Sequence, residues 1–156
     1  MEGTETSKNI TIVCDVRVEE LKVIGQKAVD DYWTVRLAGN QDKSIRRKSN
    51  MGCRIVSRGT QFTISWFTNS YNMSGAKIET YSTHLRKGRA SFRYSEVVLQ
   101  KAAAKWELEY VREAEACFAL IREELNALAK IRRALMGQKR LEDKLNQLLR
   151  RDDFDW

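Results

Sequence analysis

The chain has 156 residues, with 28 Lys and Arg against 21 Asp and Glu and a formal net charge of +7. That length holds one compact domain with a helical extension, and 42% hydrophobic residues argue against wholesale disorder. No apolar run approaches the roughly 18 residues of a membrane span, no basic-then-apolar leader opens the chain, and Cys14, Cys53 and Cys117 match neither a disulfide framework nor a paired-Cys zinc site; a cytoplasmic protein with reduced thiols is expected.

In chain order, residues 1–9 are expected to be a flexible tail. Residues 10–14 are β-branched and fit either a short strand or a helix. From Val18, the positions Leu21, Ile24, Ala28, Tyr32 and Val35 step by three and four, which predicts a helix with Asp15 as N-cap and Gly39-Asn40 as its stop. The period then changes. Residues 53–57 and 62–67, rich in β-branched and aromatic side chains, read as a hairpin around Arg58-Gly59-Thr60. Phe62, Ile64 and Trp66 fall on one face of the second strand, and Thr63, Ser65 and Phe67 on the other. Residues 68–75 have loop composition, and residues 77–85 read as a third strand.

Proline is absent, so the next helix is expected to run unbroken from about Ser95 to Met136, roughly 60 Å at 1.5 Å per residue. Val111, Ala114, Phe118, Ile121, Leu125, Leu128, Arg132 and Leu135 form its heptad seam. Part of that seam should pack on the first helix, and the rest on the terminal segment or a second subunit; Val111, Phe118, Ile121, Leu125, Leu128 and Leu135 are the candidate oligomer or partner surface. Gly137 predicts a break before a further short C-terminal helix carrying Leu141, Leu145, Leu148 and Leu149, followed by the acidic, aromatic residues 152–156. The predicted architecture is α+β, in the order α-β-β-β-α: a three-stranded antiparallel sheet with one face under two helices and the other partly open. Residues 10–136 form the domain and residues 137–156 a helical segment with its tail.

The charge is segregated. Residues 1–38 carry five basic and seven acidic side chains (−2), residues 39–93 eleven and two (+9), and residues 94–156 twelve of each. A local excess of this size beside acidic and neutral flanks points to nucleic acid. The candidate DNA-binding residues are Lys43, Arg46, Arg47 and Lys48 before the first strand, Arg54 and Arg58 on the hairpin, Lys77 opening the third strand, and His84, Arg86, Lys87, Arg89 and Arg93 at and after its end. Asn50, Asn69, Asn72 and Arg58 are the candidate readers of base edges. Trp66, Phe67, Tyr71, Tyr81, Phe92 and Tyr94 are interleaved with these cations and suit either base stacking or the core beneath the helices, with the core favoured.

Enzymatic inventory is thin. His84 is the single histidine, no glycine-rich phosphate loop occurs, and Glu113-Glu115 and Glu123-Glu124 read as a solvated face pairing with Arg112, Arg122 and Lys130. No metal or cofactor is expected, and the chain reads as a non-enzyme; a nuclease would have to rest on His84 with Tyr71 or Tyr81.

Thr83-His84-Leu85-Arg86-Lys87-Gly88, Tyr94, Trp106-Glu107-Leu108-Glu109 and Leu128-Ala129-Lys130-Ile131-Arg132-Arg133 resemble the MobI family of conjugative-transfer proteins, a likeness covering residues 32–136. The resemblance implies an accessory factor for mobilisation that acts at the origin of transfer beside the relaxase. DNA, a relaxase and a second copy joined through the long helix are the expected partners. The alternative is an adaptor or inhibitor that works through the long helix on another protein, with no specific DNA site.

Overall fold

A computed structural model, which describes residues 2–89 and 91–150 with side chains from Glu5 onward, orders the chain as α1 (Glu2–Gln41), β1 (Met51–Arg58), β2 (Gln61–Ser74), β3 (Lys77–His84), α2 (Glu96–Ala102), a 3-10 turn (Lys105–Glu107) and α3 (Leu108–Leu149). The α+β class and the α-β-β-β-α order are as the sequence predicts. Residues 5–9, expected as a tail, and residues 10–14 belong to α1. The acidic, aromatic residues 152–156 lie outside the described residues.

Helices α1 and α3 run antiparallel over one sheet face, tied near one end by Asp15 with Arg132 and by Arg17 Nε with Glu124 Oε1 at 2.6 Å. The buried stripe of α1 is Cys14, Val18, Leu21, Gly25, Val29, Tyr32 and Arg36. Ile24, expected on that stripe, is 45% exposed. The stripe is rotated by one position because Gly25, which scores as no hydrophobe, is the point of closest approach: a Cβ there would come 2.9 Å from Ile64 Cδ1 and 3.4 Å from Ile121 Cδ1. On α3 the expected seam is buried from Val111 through Leu125 and half-buried at Leu128, Arg132 and Leu135. Trp66 sits at the centre, with the Tyr32 ring edge-on at 5.0 Å and Phe118 at 5.4 Å.

The strands form one antiparallel sheet in the order β1-β2-β3. Arg58 pairs with Gln61 across Gly59-Thr60, and Ser74 with Lys77 across Gly75-Ala76. Each turn carries a glycine in the left-handed region, with φ of 60° at Gly59 and 64° at Gly75, where a side chain is strained. The loop expected over residues 68–75 is instead the continuation of β2. Tyr71 and Met73 alternate with Ser70, Asn72 and Ser74 at the period of a strand, but the asparagine, serine and glycine content, suited to a ribbon with no face against the core, reads as a loop.

The second half departs from expectation in two places. The helix does not run unbroken from Ser95: α2 ends at Ala102, and Ala103 and Ala104 are extended, with ψ of 147° and 150°. No proline makes this break. The buried Glu107 carboxylate does, accepting the Ala104 N–H at 2.8 Å and the Tyr32 hydroxyl at 3.1 Å. Ser95 caps α2 through the Val98 N–H at 3.3 Å. Gly137, expected to end α3, lies within it, so the short helix precedes the long one rather than following it.

Candidate nucleic-acid interface

Register decides where the basic residues meet. Gly52 of β1, Phe67 of β2 and His84 of β3 form one rung across the sheet. The connection into β1 and the connection out of β3, which carry most of the candidate cations, therefore leave the sheet at one level, on strands about 10 Å apart.

The first connection is held from within. Asn40 Nδ2 donates to the Ser49 carbonyl at 3.0 Å while its Oδ1 accepts the Ser49 N–H at 2.7 Å, and Arg36 adds a bond to the same carbonyl at 3.1 Å. Trp106 Nε1 donates to the Arg47 carbonyl at 3.0 Å, so the 3-10 turn anchors the loop. Lys48 Nζ is engaged with the Asp42 carbonyl at 2.6 Å. The Ser44 hydroxyl and N–H hold the Asp42 carboxyl below its usual range. Lys43, Arg46 and Arg47 remain exposed on this fixed loop.

The second connection hangs on a buried carboxylate. Glu115, expected on a solvated face, is buried; it accepts the Tyr94 N–H at 2.9 Å and the Trp66 indole N–H at 2.7 Å, and pairs with Arg122 at 2.9 Å. Its helical position, four residues after Val111 and three before Phe118, is the signal that places it on the buried stripe. Arg122 also donates to the Phe92 carbonyl at 2.8 Å. Lys87 is half-buried and donates to the Ser91 carbonyl, while Arg86, Arg89 and Arg93 are exposed.

Between the connections lies the sheet face that the helices leave open. Phe67 lies over Gly52, where a Cβ would meet its ring at 2.6 Å, and the Arg54 guanidinium sits over that ring at 5.1 Å. Arg54 NH2 reaches His84 Nε2 at 2.6 Å; arginine has no acceptor, so the histidine nitrogen accepts. Trp33 and Arg36, absent from the sequence-derived site, extend this ledge around the β1 edge. Trp33 donates to the Cys53 carbonyl at 2.9 Å and faces Phe67 at 6.4 Å, and Arg36 stacks on Trp33 at 4.6 Å. The i,i+4 spacing of Tyr32 and Arg36 is the signal that could have found the latter.

Two candidates stand apart. Arg58 lies at the β1–β2 turn and Lys77 at the β2–β3 turn, the opposite ends of β2, separated by about 40 Å at 3.4 Å per residue. Of the aromatics, Trp66, Phe67 and Tyr94 are buried, Phe92 is half-buried, and Tyr71 and Tyr81 are exposed on opposite faces of the β2–β3 ribbon. Tyr81 therefore faces away from His84, and Tyr71 is four residues along β2 from the His84 rung, about 14 Å. Among the described residues no three His, Cys, Asp or Glu side chains gather as metal ligands.

The candidate partner surface on α3 is largely spent. Val111, Phe118, Ile121 and Leu125 are buried inside this chain against α1 and the sheet, so they cannot meet a partner. Leu128 and Leu135 are half-buried beside two grooves of about 380 and 490 Å³ that flank the paired ends of α1 and α3. Beyond them Leu141, Leu145 and Leu148 are exposed.

A family model described as MobI protein matches residues 21–136, from the middle of α1 through the sheet and both basic connections to Met136. No curated protein and no solved structure matches the chain.

Proposed function

The chain belongs to the MobI family, which implies a role in conjugative mobilisation, and we propose from that premise that it is a cytoplasmic, non-enzymatic DNA-binding accessory factor. It recognises the origin of transfer and positions the relaxase there. The supporting observation is the shared rung of Gly52, Phe67 and His84, from which two anchored basic connections depart on either side of an open sheet face. Lys43, Arg46 and Arg47 on one side and Arg86, Arg89 and Arg93 on the other are free to meet phosphate, and Arg54 with His84 lies between them. The separation of His84 from both candidate tyrosines supports a binding rather than a cleaving role.

Gel-shift titration with DNA from the transfer origin tests this. With five to eight phosphate contacts, log K falls against log salt with a slope of about −5 to −7 on duplex DNA. Arg46→Ala/Arg47→Ala and Arg86→Ala/Arg89→Ala each weaken binding without unfolding the protein. Unchanged or salt-insensitive shifts would sink the proposal.

The exposed leucines of distal α3 favour a second contribution, assembly through Leu141, Leu145 and Leu148 with a second copy or with the relaxase. A protein adaptor without a DNA site is the competing reading. Capture of partners from lysate that survives nuclease treatment, together with absent DNA binding, decides for it.

A further inference from the structure

Beyond the Met51–Thr68 pair, β2 and β3 leave β1 and the helices behind and continue as a two-stranded ribbon from Asn69 and Ser82 to Ser74 and Lys77. Its six rungs span about 20 Å. Residues 70–74 and the whole of β3 are exposed. A bare two-stranded ribbon is at best marginally stable in water, and this one ends in a directly opposed apolar pair, Met73 and Ile78, at 78% and 68% exposure. Such a ribbon gains most from a partner that covers it.

We propose that the ribbon enters the major groove of duplex DNA, with Asn69, Tyr71, Met73, Ile78, Thr80 and Ser82 turned to the base edges. This rests on the DNA-binding reading above and adds which form of DNA is bound and which element reads it. Antiparallel pairing puts those six side chains on the same face as Phe67, Arg54 and His84. That face carries no carboxylate along the whole sheet. Glu79, the ribbon's one acid, points to the other face, where it accepts the Tyr81 hydroxyl.

Dimensions and charge agree with this occupant. A major groove about 12 Å wide admits a two-stranded ribbon. The two basic connections leave the ribbon's base on strands about 10 Å apart, so that Arg46 and Arg47 face one phosphate wall and Arg86 and Arg89 the other. Asn69 has its Oδ1 engaged by the Ser82 hydroxyl at 2.7 Å, which fixes the amide and leaves its NH2 to donate to an acceptor on a base edge. Met73 and Ile78 suit thymine methyl groups. Single-stranded DNA fits less well: the exposed tyrosines lie on opposite faces, Phe67 is covered by Arg54, and Trp66 is buried, so no row of stacking rings is presented.

The test pairs methylation interference with a shortened ribbon. Dimethyl sulfate modifies guanine N7 in the major groove and adenine N3 in the minor groove. The variant replaces residues 71–80 by Asn-Gly, joining the Ser70–Tyr81 rung by a tight turn. On transfer-origin duplex, guanine N7 methylation should block binding of the wild type. The variant, with unchanged helical circular dichroism, should keep salt-dependent binding to any duplex and lose tenfold or more of its preference for the origin fragment. Interference confined to adenine N3, a preference for single strands, or full discrimination by the shortened variant would each overturn the ribbon's role. So would loss of self-association with discrimination intact, which gives the ribbon to a second copy. A wild-type protein with no salt-dependent DNA binding would instead remove the reading on which this one rests.

Discussion

The indole N–H of Trp66, on the middle strand, donates to the buried carboxylate of Glu115, on α3, at 2.7 Å. The same carboxylate holds Arg122 and the Tyr94 N–H, so one acidic side chain joins the sheet, the long helix and the segment that carries Arg86 to Arg93. Its removal leaves the Trp66 indole and the Tyr94 N–H without their acceptor and strips the counter-charge from the Arg122 guanidinium, which keeps only the Ile64 and Phe92 carbonyls. Glu115→Ala should therefore cost about 3–5 kcal/mol, the range for breaking one side of a buried ion pair, read as a lowered urea midpoint with an unchanged m-value. A loss below about 1 kcal/mol, the scale of exposed ion pairs, would show that Glu115 is solvated after all.

Gly39 lies under Trp106, where a Cβ would stand 2.2 Å from the indole ring. Helix propensity alone makes Gly→Ala favourable by about 1 kcal/mol, but here the added methyl must push the ring off the Arg47 carbonyl. Gly39→Ala should destabilise by about 1–3 kcal/mol, as overpacking does. It should also speed amide exchange in residues 42–50 and weaken DNA binding through the displaced loop.

Gly137 is the opposite case. It sits within α3, and a Cβ added there would meet nothing within 4 Å. Gly137→Ala should stabilise by up to about 1 kcal/mol through helix propensity. Loss of stability on thermal denaturation would indicate the helix break that the sequence suggested and the structure does not have.

Burial pushes the Tyr32 phenol and the Cys53 thiol well above their ordinary values, and the Glu107 carboxylate adds to the effect on Tyr32. Both groups are neutral in the folded state where the unfolded chain would already ionise. Their contribution is complete below the unfolded values, about 8.5 for Cys and 10 for Tyr, and is lost as pH rises beyond them. Urea midpoints should be flat from pH 7 to about 8.5 and fall above that, by up to about 1.4 kcal/mol per pH unit for each group. Tyr32→Phe should flatten the part above pH 10. A thiol reagent at pH 8 should reach the half-exposed Cys117 slowly and Cys53 only on unfolding.

Leu141→Lys/Leu145→Lys should leave monomer stability within about 0.5 kcal/mol, as surface changes do, because the buried seam of α3 ends at Leu125. Sedimentation velocity then reads the effect on assembly: a smaller species than the wild type is expected, and an unchanged one would retire distal α3 as an assembly surface.

Local pattern was enough for several features. The three-and-four spacing from Val111 to Leu125 marks the buried stripe of α3, Gly59 marks the first hairpin turn, and the charge count isolates residues 39–93, because helical period, turn chemistry and charge are properties of neighbours in the chain. The tertiary structure decided the rest. Glu107 breaks the second helical region without a proline because it is buried beside Tyr32, 75 residues away in sequence, and Glu115 looks solvated until Trp66 is packed against it. Residues 69–74 carry the polar composition of a loop because neither face of the ribbon meets the core, and only their pairing with residues 77–82 makes them strand. The two basic connections, about forty residues apart in the chain, share a level only through the pairing of Gly52 with Phe67 and of Phe67 with His84. Register between strands is a long-range choice, fixed by which side chains the core can bury, and no count along the chain contains it.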